Sequence, residues 1–434
     1  MALSPQRRSD MTREQEYFRV FPLVVPADKR TKIMIRALYD HCRFEDGVEY
    51  EISYYPKEYW TDEHKQKRFL VTAQENTLDI LYHFAGEQEH IFAVSKRSNG
   101  EKQLIGTFSV YSLQPDLFKR RPFKGDLHMH THYSDGLESP AYVAASSRQI
   151  GFDFIAITDH HKYAPSLEVQ QVYGDVAVDL CMFPGEEVHP PECNTHLVNF
   201  GGNRSINELF QDRKWYQHQI DSVMQKLGPL PPGIDPYEYA SVLWCLDQIR
   251  EAKGLGIFCH PHWVWDNRYN IPQPFLDFIF EQQPFDAFEL LGGITAQDNN
   301  LQVAYYNEQR AQGKTIPIVG VSDSHGCHFR DHFGATYTMV FSPSLELQDL
   351  ISSIKELYSV AIEEIPGENP RVYGPFRLVK YAQFLLREYA PLHDRLCYAE
   401  GNHMFDYASG NKKAATWLKA CQGQVKRLMD GLWA

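Results

Sequence analysis

Near Lys124 the sequence changes from closely spaced β-like runs to short apolar strands that alternate with long helical stretches. The earlier part contains about seven runs rich in Val, Ile, Phe and Tyr, separated by polar turn segments. Short strands at this spacing are typical of an antiparallel β-sandwich, which we predict over 16–113. The runs are 17–25, 32–39, 48–55, 68–73, 78–84, 90–95 and 104–113.

The remaining segments define the rest of the predicted organisation. Residues 1–15 are polar, and we expect a loose N-terminus there. The segment 114–124 holds two prolines and four basic residues and predicts a linker. Repeated βα units predict a parallel sheet or barrel over 125–345, with an insertion at 203–238. From 346 to 434 we predict a helical part packed on the barrel. The predicted strands are 154–158, 196–200, 256–260, 286–291 and 317–322, and the predicted helices include 140–151 and 239–254.

Charge and composition exclude several classes of protein. The 43 Lys and Arg against 56 Asp and Glu give a net charge of −13, so generic nucleic-acid binding gains little from counterion release. We see neither a membrane-spanning apolar stretch nor a signal peptide, and we expect a cytoplasmic protein with no membrane partner. None of the eight cysteines forms a CxxC pair, which disfavours a cysteine zinc site. The sequence predicts no particular oligomeric state.

Histidines and carboxylates cluster where the predicted strands end. His128 and His130 are two residues apart, so both point to one face of an extended segment. Asp323 and His325 have the same spacing just past another predicted strand. Strand ends of this kind are where α/β barrels build active sites. The full set of candidates is His128, His130, Asp135, His160, Glu187, His196, His260, Asp323 and His325.

This set of side chains has the chemistry of a metal site. Imidazoles and carboxylates together suit Zn, Mn or Fe. One ion needs three or four protein ligands, so the candidates are enough for two or three divalent ions. Two ions about 3.5–4 Å apart can clamp a phosphate and generate hydroxide at neutral pH. Each motif alone has an ordinary structural explanation, but their joint occurrence at successive strand ends predicts a metal centre.

Residues 125–345 resemble the PHP (polymerase and histidinol phosphatase) family in the motifs DLHMHTHYSDG, ITDHH, GEE followed by HLV, CHPHW and SDSH. The resemblance implies an enzyme with a distorted (βα)7 barrel, a TIM-like α/β fold, and a two- or three-metal centre. The family pattern Gly-x-Glu favours Glu187, with Glu186 as a rival. The implied ligand sets are His128, His130, Glu187 and Asp323 for one ion, Glu187, His196 and His260 for a second, and Asp135, His160 and His325 for a third.

The expected function is hydrolysis of a phosphate mono- or diester of a small molecule or nucleotide, with a metal-bridging hydroxide that attacks phosphorus. The β-domain ahead of the barrel more loosely resembles the CehA/McbA branch of metallohydrolases, named for carbamate ester hydrolysis. A carboxyl or carbamate ester hydrolase with the same centre is therefore the alternative. A 3′–5′ exonuclease is disfavoured by the acidic balance, and a metal-dependent binding module remains a further alternative.

Several flanking residues have open roles. We expect catalytic roles for Glu187, Asp323 and His325, and for Arg330, which follows the SDSHG loop and could clamp a phosphate. Asp159 either orients the His160 segment or caps the next helix. The aromatic stretch 262–269 either walls the pocket or packs in the core. The remaining candidates for a general acid, a substrate contact or a surface position are His132, His161, His189, His262, His328, Lys162 and Arg268.

Overall fold

The computed structural model describes residues 11–58, 67–98, 101–293, 295–328 and 332–434. The chain divides into two compact units. The first comprises Met1–Arg120, Lys380–Leu396 and Gly423–Ala434, and the second comprises Arg121–Val379 and Cys397–Gln422. The predicted loose segment 1–15 lies mostly outside the described residues, and its last residues belong to the first helix.

Eight described strands of the first unit form two sheets. The strands are β1 (Phe18–Phe21), β2 (Val24–Pro26), β3 (Lys29–Ala37), β4 (Glu49–Pro56), β5 (Lys67–Thr72), β6 (Thr77–Phe84), β7 (Gln88–Ser98) and β8 (Glu101–Leu113), with helices α1 (Arg13–Tyr17) and α2 (Pro115–Phe118) and a 3-10 helix at Asp40–Cys42. The sheet orders are β1-β3-β6 and β2-β8-β7-β4-β5. Each predicted run contains a strand, and 17–25 contains two. The β2–β8 pair is parallel, so the sandwich is not wholly antiparallel.

One apolar core is shared by the two sheets of the first unit. Ile33 of β3 and Leu78 of β6 are fully buried in the same cluster as Ile52 of β4 and Phe92 of β7. Side chains alternate between the two faces of a strand, so one face of each sheet supplies this core. The buried positions of β6 follow that alternation over most of its length.

The second unit contains two larger sheets and a hairpin. Its strands are β9 (Arg121–Asp126), β10 (Phe154–Ala156), β11 (Cys181–Phe183), β12 (Gly185–Val188), β13 (Leu197–Phe200), β14 (Leu255–Phe258), β15 (Val264–Trp265), β16 (Arg268–Tyr269), β17 (Ala287–Leu291), β18 (Ile318–Gly320), β19 (Thr336–Ser342), β20 (Ser359–Glu363) and β21 (Arg371–Tyr373). The sheet orders are β11-β10-β9-β19-β20-β21 and β12-β13-β14-β17-β18, and β15 pairs with β16. Strand β9 begins inside the predicted linker 114–124.

These sheets differ from the predicted purely parallel sheet or barrel. Strands β9, β10 and β11 pair in parallel, as do β14, β17 and β18, but β13 runs antiparallel to both neighbours. The loop between β12 and β13 is too short for the crossover that parallel strands need, so the chain must turn back. Over the described ranges the strands pair as two separate sheets, and a single closed (βα)7 barrel is not observed.

Several helices in the second half of the chain begin at a side-chain cap. Asp235, Ser139 and Thr295 each accept a backbone N–H of the first turn, and Pro140 and Pro236 occupy first helical positions, where no donor is lost. The helices are α3 (Pro140–Gln149), α4 (Ala164–Tyr173), α5 (Arg213–Met224), α6 (Pro236–Glu251), α7 (Gln273–Gln282), α8 (Ala296–Ala311), α9 (Leu347–Lys355), α10 (Phe376–Glu388), α11 (Ala390–Ala408), α12 (Ala414–Cys421) and α13 (Gln424–Leu432), with a 3-10 helix at Asn207–Gln211.

The two predicted helices are observed, but the end of the chain that we predicted to be helical also contains strands. Helices α3 and α6 match the predicted helices, and α5 lies inside the predicted insertion 203–238. The part 346–434 is not helical throughout, because β20 and β21 join the six-stranded sheet. Strand β20 contains the β-branched Val360 and Ile362 and is buried at four of its five positions, which suits a strand inside a sheet. No helix in the described ranges has the length and apolar character needed to cross a bilayer.

Candidate metal centre

The candidate donors follow the carboxyl ends of strands in the second unit. His128 and His130 come after β9, His160 comes after β10, and His260 comes after β14. Parallel strands end at one edge of a sheet, so the loops that follow them meet there. Asp323 follows β18, and its backbone N–H donates to His128 O at 2.9 Å, which joins two of these loops.

His196 reaches the same place from a strand of opposite direction. It directly precedes β13, which pairs antiparallel with β14 so that Leu197 lies opposite Phe258. The amino end of β13 therefore lies beside the carboxyl end of β14, where His260 follows. On the other side of β13, Glu187 lies in the paired strand β12.

Glu187 lies at the centre of the donors and is fully buried. Its two carboxylate oxygens face different groups of imidazoles. From Oε2 the distances are 3.3 Å to His128 Nε2, 3.6 Å to His130 Nε2 and 2.6 Å to His160 Nδ1. From Oε1 the distances are 2.8 Å to His196 Nδ1, 3.4 Å to His260 Nε2 and 3.3 Å to His189 Nε2. One carboxylate thus joins two sets of nitrogen atoms.

Asp323 adds a second carboxylate to the Oε2 side. Its Oδ1 lies 2.9 Å from His130 Nε2 and 3.3 Å from His128 Nε2. The backbone of Asp323 has a φ of 47°, in the left-handed region that residues other than glycine seldom adopt. Strain of this kind persists only where the surrounding structure holds a residue in place, and it is often found at functional sites.

A third group lies on the more exposed side of the cluster. Asp135 Oδ2 is 3.4 Å from His160 Nε2 and 3.2 Å from His325 Nε2. The side chains of Asp135 and His325 are 53% and 40% exposed, whereas His128 and Glu187 are fully buried. Solvent, and therefore a ligand, reaches the cluster from the side of this third group.

The structure brings all nine predicted donors into one cluster. Its three groups overlap with the three ligand sets that the family resemblance implies but are not identical to them, because His160 Nδ1 also lies near Glu187 Oε2 and His189 lies near Oε1. Glu187, Asp323 and His325, which we predicted to be catalytic, belong to it. Arg330, the fourth predicted catalytic residue, lies outside the described residues. The cluster consists of His128, His130, Asp135, His160, Glu187, His196, His260, Asp323 and His325.

Glu186, the rival of Glu187, points away from the cluster. Its carboxylate accepts hydrogen bonds from Ser205 Oγ at 2.7 Å and Asn207 Nδ2 at 3.0 Å. A third bond comes from Asn199 Nδ2 at 3.2 Å. Consecutive residues of a strand point to opposite faces, so only one glutamate of the pair can face the donors.

The electrostatics of the cluster favour bound cations. Burial alone would raise the pKa of Glu187, but the imidazoles of His196 and His128 lower it well below its usual range. Burial alone would lower the pKa of His260, yet the carboxylates of Glu187 and Glu289 raise it to about 9. The buried carboxylates thus produce a field that attracts positive charge, whether from protons or from metal ions.

The chemistry of the donors fits divalent metal ions. Within the described residues, His128 Nε2, His196 Nδ1 and both carboxylate oxygens of Glu187 are buried without a partner in hydrogen-bond geometry. This holds even though Glu187 Oε1 and His196 Nδ1 lie only 2.8 Å apart. Buried polar atoms normally have a partner, and bound cations would supply partners to these atoms. Imidazole and carboxylate donors suit Zn, Mn or Fe.

Glu289 is a functional candidate that the sequence analysis did not identify. It lies in β17, is fully buried, and its Oε2 is 2.9 Å from His128 Nδ1. A carboxylate that accepts the N–H of a metal-binding imidazole fixes the ring and its tautomer. The signal was present in the run DAFELL, because a glutamate inside an apolar strand is seldom buried without a partner.

Two of the flanking polar residues, Asp159 and His189, contact the cluster or the loops that form it. Asp159 accepts the backbone N–H of Thr131 at 2.8 Å and the Oγ–H of Ser134 at 2.6 Å, so it orders the loop after His130 and does not cap a helix. His189 joins the cluster, since its ring stacks on that of His196 with centroids 3.8 Å apart.

Other flanking residues make contacts outside the donor groups. The ring of His262 packs against Tyr269 and Tyr305, with centroids 5.4 and 6.0 Å away. Lys162 Nζ donates to the backbone oxygen of Tyr133. These contacts favour a packing role for His262 and a loop-ordering role for Lys162.

Gly293 allows two loops of the centre to approach each other. A Cβ atom at this position would lie 1.9 Å from Ser322 O and 2.9 Å from Asp323 O, well inside contact distance. These two neighbours are backbone atoms, which cannot rotate away as a flexible side chain can. Glycine at 293 is therefore required for the observed path of the Asp323 loop.

Comparisons with known proteins give partial matches. No protein-family model matches the chain. The chain is 42% identical over 54 residues to the DNA polymerase/3′-5′ exonuclease PolX of Bacillus subtilis, a match that covers 12% of this chain and 10% of that protein. Because the match covers so little of that protein, its activity is not attributed to this chain.

The chain also matches solved structures of proteins named as PHP-like or metal-dependent phosphoesterases. A two-domain protein of Bacteroides vulgatus named as containing a PHP-like metal-dependent phosphoesterase aligns with a TM-score of 0.41 and 14% identity, over 57% of this chain and 66% of that one. A protein of Bifidobacterium adolescentis named as a metal-dependent phosphoesterase aligns with a TM-score of 0.32 and 16% identity, over 46% and 87% of the two chains. Alignments with scores this low do not establish an activity, which has to be inferred from the side chains of this protein itself.

Proposed function

We propose that this protein is a metal-dependent hydrolase that cleaves a phosphate mono- or diester of a small molecule. The observation that carries the proposal is the position of Glu187, whose two oxygens face separate groups of imidazoles. A carboxylate in this position suits two ions that share one ligand. A pair of divalent ions in turn suits a phosphate group, which carries several anionic oxygens.

The ligands of the proposed centre follow from the three groups. Divalent ions, when bound there, would polarise a phosphoryl oxygen and lower the pKa of water. The donors supplied by the chain would be His128, His130, Glu187 and Asp323 for one position, Glu187, His196 and His260 for a second, and Asp135, His160 and His325 for a third.

The chain orients these donors before any substrate binds. Glu289 Oε2 accepts from His128 Nδ1 at 2.9 Å, which leaves Nε2 as the free nitrogen of that ring. The backbone oxygen of Asp323 accepts from His325 Nδ1 at 2.9 Å, and His325 Nε2 then faces Asp135. Rings fixed in this way need little reorganisation during a reaction, and preorganisation of this kind lowers the barrier.

The same residues support a family assignment. We propose that the chain belongs to the PHP family, because the motifs in 125–345 resemble those of that family. The two sheets of the second unit would then be parts of one distorted barrel. We extend the proposal to the CehA/McbA branch, which the β-domain ahead of 125–345 more loosely resembles.

Substitution of Glu187 tests the proposed centre. We expect Glu187→Gln to lose bound metal and to lower kcat/KM at least about 10³-fold, equivalent to about 4 kcal/mol of transition-state stabilisation. The matched control is Glu186→Gln, because that neighbouring carboxylate faces Ser205 and Asn207 and not the donors. The control should keep both its metal and its activity.

The measurement combines metal analysis with a substrate panel. Purified wild-type protein and both variants would be assayed on an aryl phosphate, a phosphodiester and an aryl carboxyl ester. Wild-type metal content and rate in Glu187→Gln would refute the centre. Turnover of the carboxyl ester without turnover of either phosphate would instead show that the centre is correct and the scissile bond is wrong.

A further inference from the structure

Strands β15 and β16 form a short hairpin directly after His260. Val264 pairs with Tyr269, and Trp265 pairs with Arg268. The connecting residues 266 and 267 have φ values of 49° and 62°. Two consecutive left-handed residues are typical of the tight two-residue turn that matches the twist of a hairpin. The hairpin therefore has a defined shape and is not an irregular loop.

The base of the hairpin is attached to the metal centre. Trp263 N donates to His260 O at 3.1 Å, and Asn270 N donates to Trp263 O at 2.7 Å. Asn270 Nδ2 also donates to the backbone oxygen of Asn194 at 2.9 Å, in the loop that leads to His196. The hairpin is therefore bonded to the segment that contains His260 and to the segment that leads to His196.

Trp263 connects the hairpin to the donors through its ring. The ring centroid is 6.0 Å from that of His260 and 6.2 Å from that of His196. On its other side, Trp263 lies 5.8 Å from the ring of Trp265. A continuous aromatic surface therefore leads from the imidazoles to the tip of the hairpin.

The tip of the hairpin presents an unusual set of exposed side chains. Trp265 is 69% exposed, Tyr269 is 47% exposed and Val264 is 45% exposed. Arg268, the cross-strand partner of Trp265, is also exposed. A two-stranded hairpin gains little stability by itself in water, so this exposed aromatic surface has no evident role in the fold. A planar guanidinium beside aromatic rings suits a ligand that is both flat and anionic.

We propose that the hairpin Trp263–Asn270 binds the planar aromatic part of an anionic ester substrate, whose ester group lies at the donor cluster. This inference rests on the proposed function and adds the substrate class, an aryl or heteroaryl ester. The ring of the substrate would stack on Trp265 and Trp263. Arg268 would contribute positive charge on the same face.

The first test compares substrates that differ only in their organic group. Wild type, Trp265→Ala and the control Trp417→Ala would be assayed on phenyl phosphate and propyl phosphate. Trp417 is a suitable control because it is 60% exposed on helix α12, outside the hairpin. We expect Trp265→Ala to lower kcat/KM for phenyl phosphate about 5- to 150-fold, the usual range for loss of one stacking contact. The propyl substrate and the control should change less than about twofold. Each variant is compared with wild type on the same substrate, so the intrinsic reactivity of the two esters cancels.

The second test measures binding without turnover. Phenylphosphonate and propylphosphonate, which cannot be hydrolysed at the P–C bond, would be titrated into metal-loaded protein by calorimetry. We expect wild type to bind the phenyl compound at least about fivefold more tightly and Trp265→Ala to lose that preference. Equal binding of the two compounds by wild type, or an unchanged preference in Trp265→Ala, would overturn the inference. Selective binding without turnover of any ester would refute the proposed function and leave the hairpin assignment supported.

Discussion

Glu289 fixes the orientation of His128, a fully buried imidazole of the candidate centre. It accepts the Nδ1 proton of His128, and its burial removes competing water from that contact. The remaining ring nitrogen then has only one orientation available, toward Glu187 and Asp323. A residue that touches no substrate can therefore determine how well the centre holds a cation.

Replacement of Glu289 tests this role. We expect Glu289→Gln to weaken metal affinity about 10- to 100-fold, because the amide cannot replace the charge that supports the His128 ring. Competition with a chelator of known affinity would measure the change. The control is Glu251→Gln, whose side chain is 62% exposed and outside the centre. Unchanged affinity in Glu289→Gln would show that the contact is only structural.

Elements of the second unit are joined by a buried charge network. Arg148 of α3 is fully buried and donates from Nε to Glu400 Oε2 of α11 at 2.6 Å. Its Nη1 donates to Phe152 O at 2.9 Å and lies 3.3 Å from Asp153 Oδ1. Removing one partner of such a network leaves another charge buried without compensation.

Removal of the arginine should therefore cost substantial stability. We expect Arg148→Met to lower the free energy of unfolding by about 3–5 kcal/mol, measured by urea denaturation. The matched control is Arg204→Met, which breaks an ion pair to Glu251 whose two side chains are 43% and 62% exposed. That change should cost less than about 1 kcal/mol. Similar costs for the two variants would contradict a special role of the buried network.

The elements differ in how well their sequences predict them. Most β-like runs before Lys124 can be predicted as strands because one face is buried, as in β3 and β6, which leaves an alternating pattern. The donors were found because strand ends can be recognised locally. The run DAFELL marks Glu289 as an unusual residue, but no local signal shows that its partner is His128, 161 residues away. Strand β19 was not predicted because its run TYTMVFS contains two threonines and a serine and is less apolar than the buried runs that were predicted.

At the scale of the whole chain, stability should depend on pH through groups that do not belong to the centre. His90 in the first unit is fully buried, and its two ring nitrogens bond neutral groups, Tyr54 Oη at 2.8 Å and Ser112 Oγ at 2.7 Å. Burial lowers the pKa of His90 from 6.5 to about 4, and within the described residues no carboxylate is bonded to its ring. Between these values the unfolded chain binds the additional proton. The contribution is complete above about pH 6.5 and is lost as the pH falls toward 4.

Acidification should reveal this contribution. We expect about 2 kcal/mol of stability to be lost through His90 between pH 7 and pH 5. Urea unfolding of wild type and His90→Gln at the two pH values would measure it, since the variant keeps a polar side chain but cannot gain the proton. The other histidines contribute equally to both proteins, so the difference in pH dependence isolates His90. An identical dependence in the two proteins would show that the buried ring does not titrate as proposed.

The close approach at Gly293 has a consequence for related sequences. A chain could keep every imidazole and carboxylate of the cluster and still lose the centre through one added methyl group, because alanine there would collide with the backbone beside Asp323. A comparison of related sequences by their ligating residues alone would then include chains that cannot form the centre. A position that contributes no ligand atom has to be included when such relatives are judged.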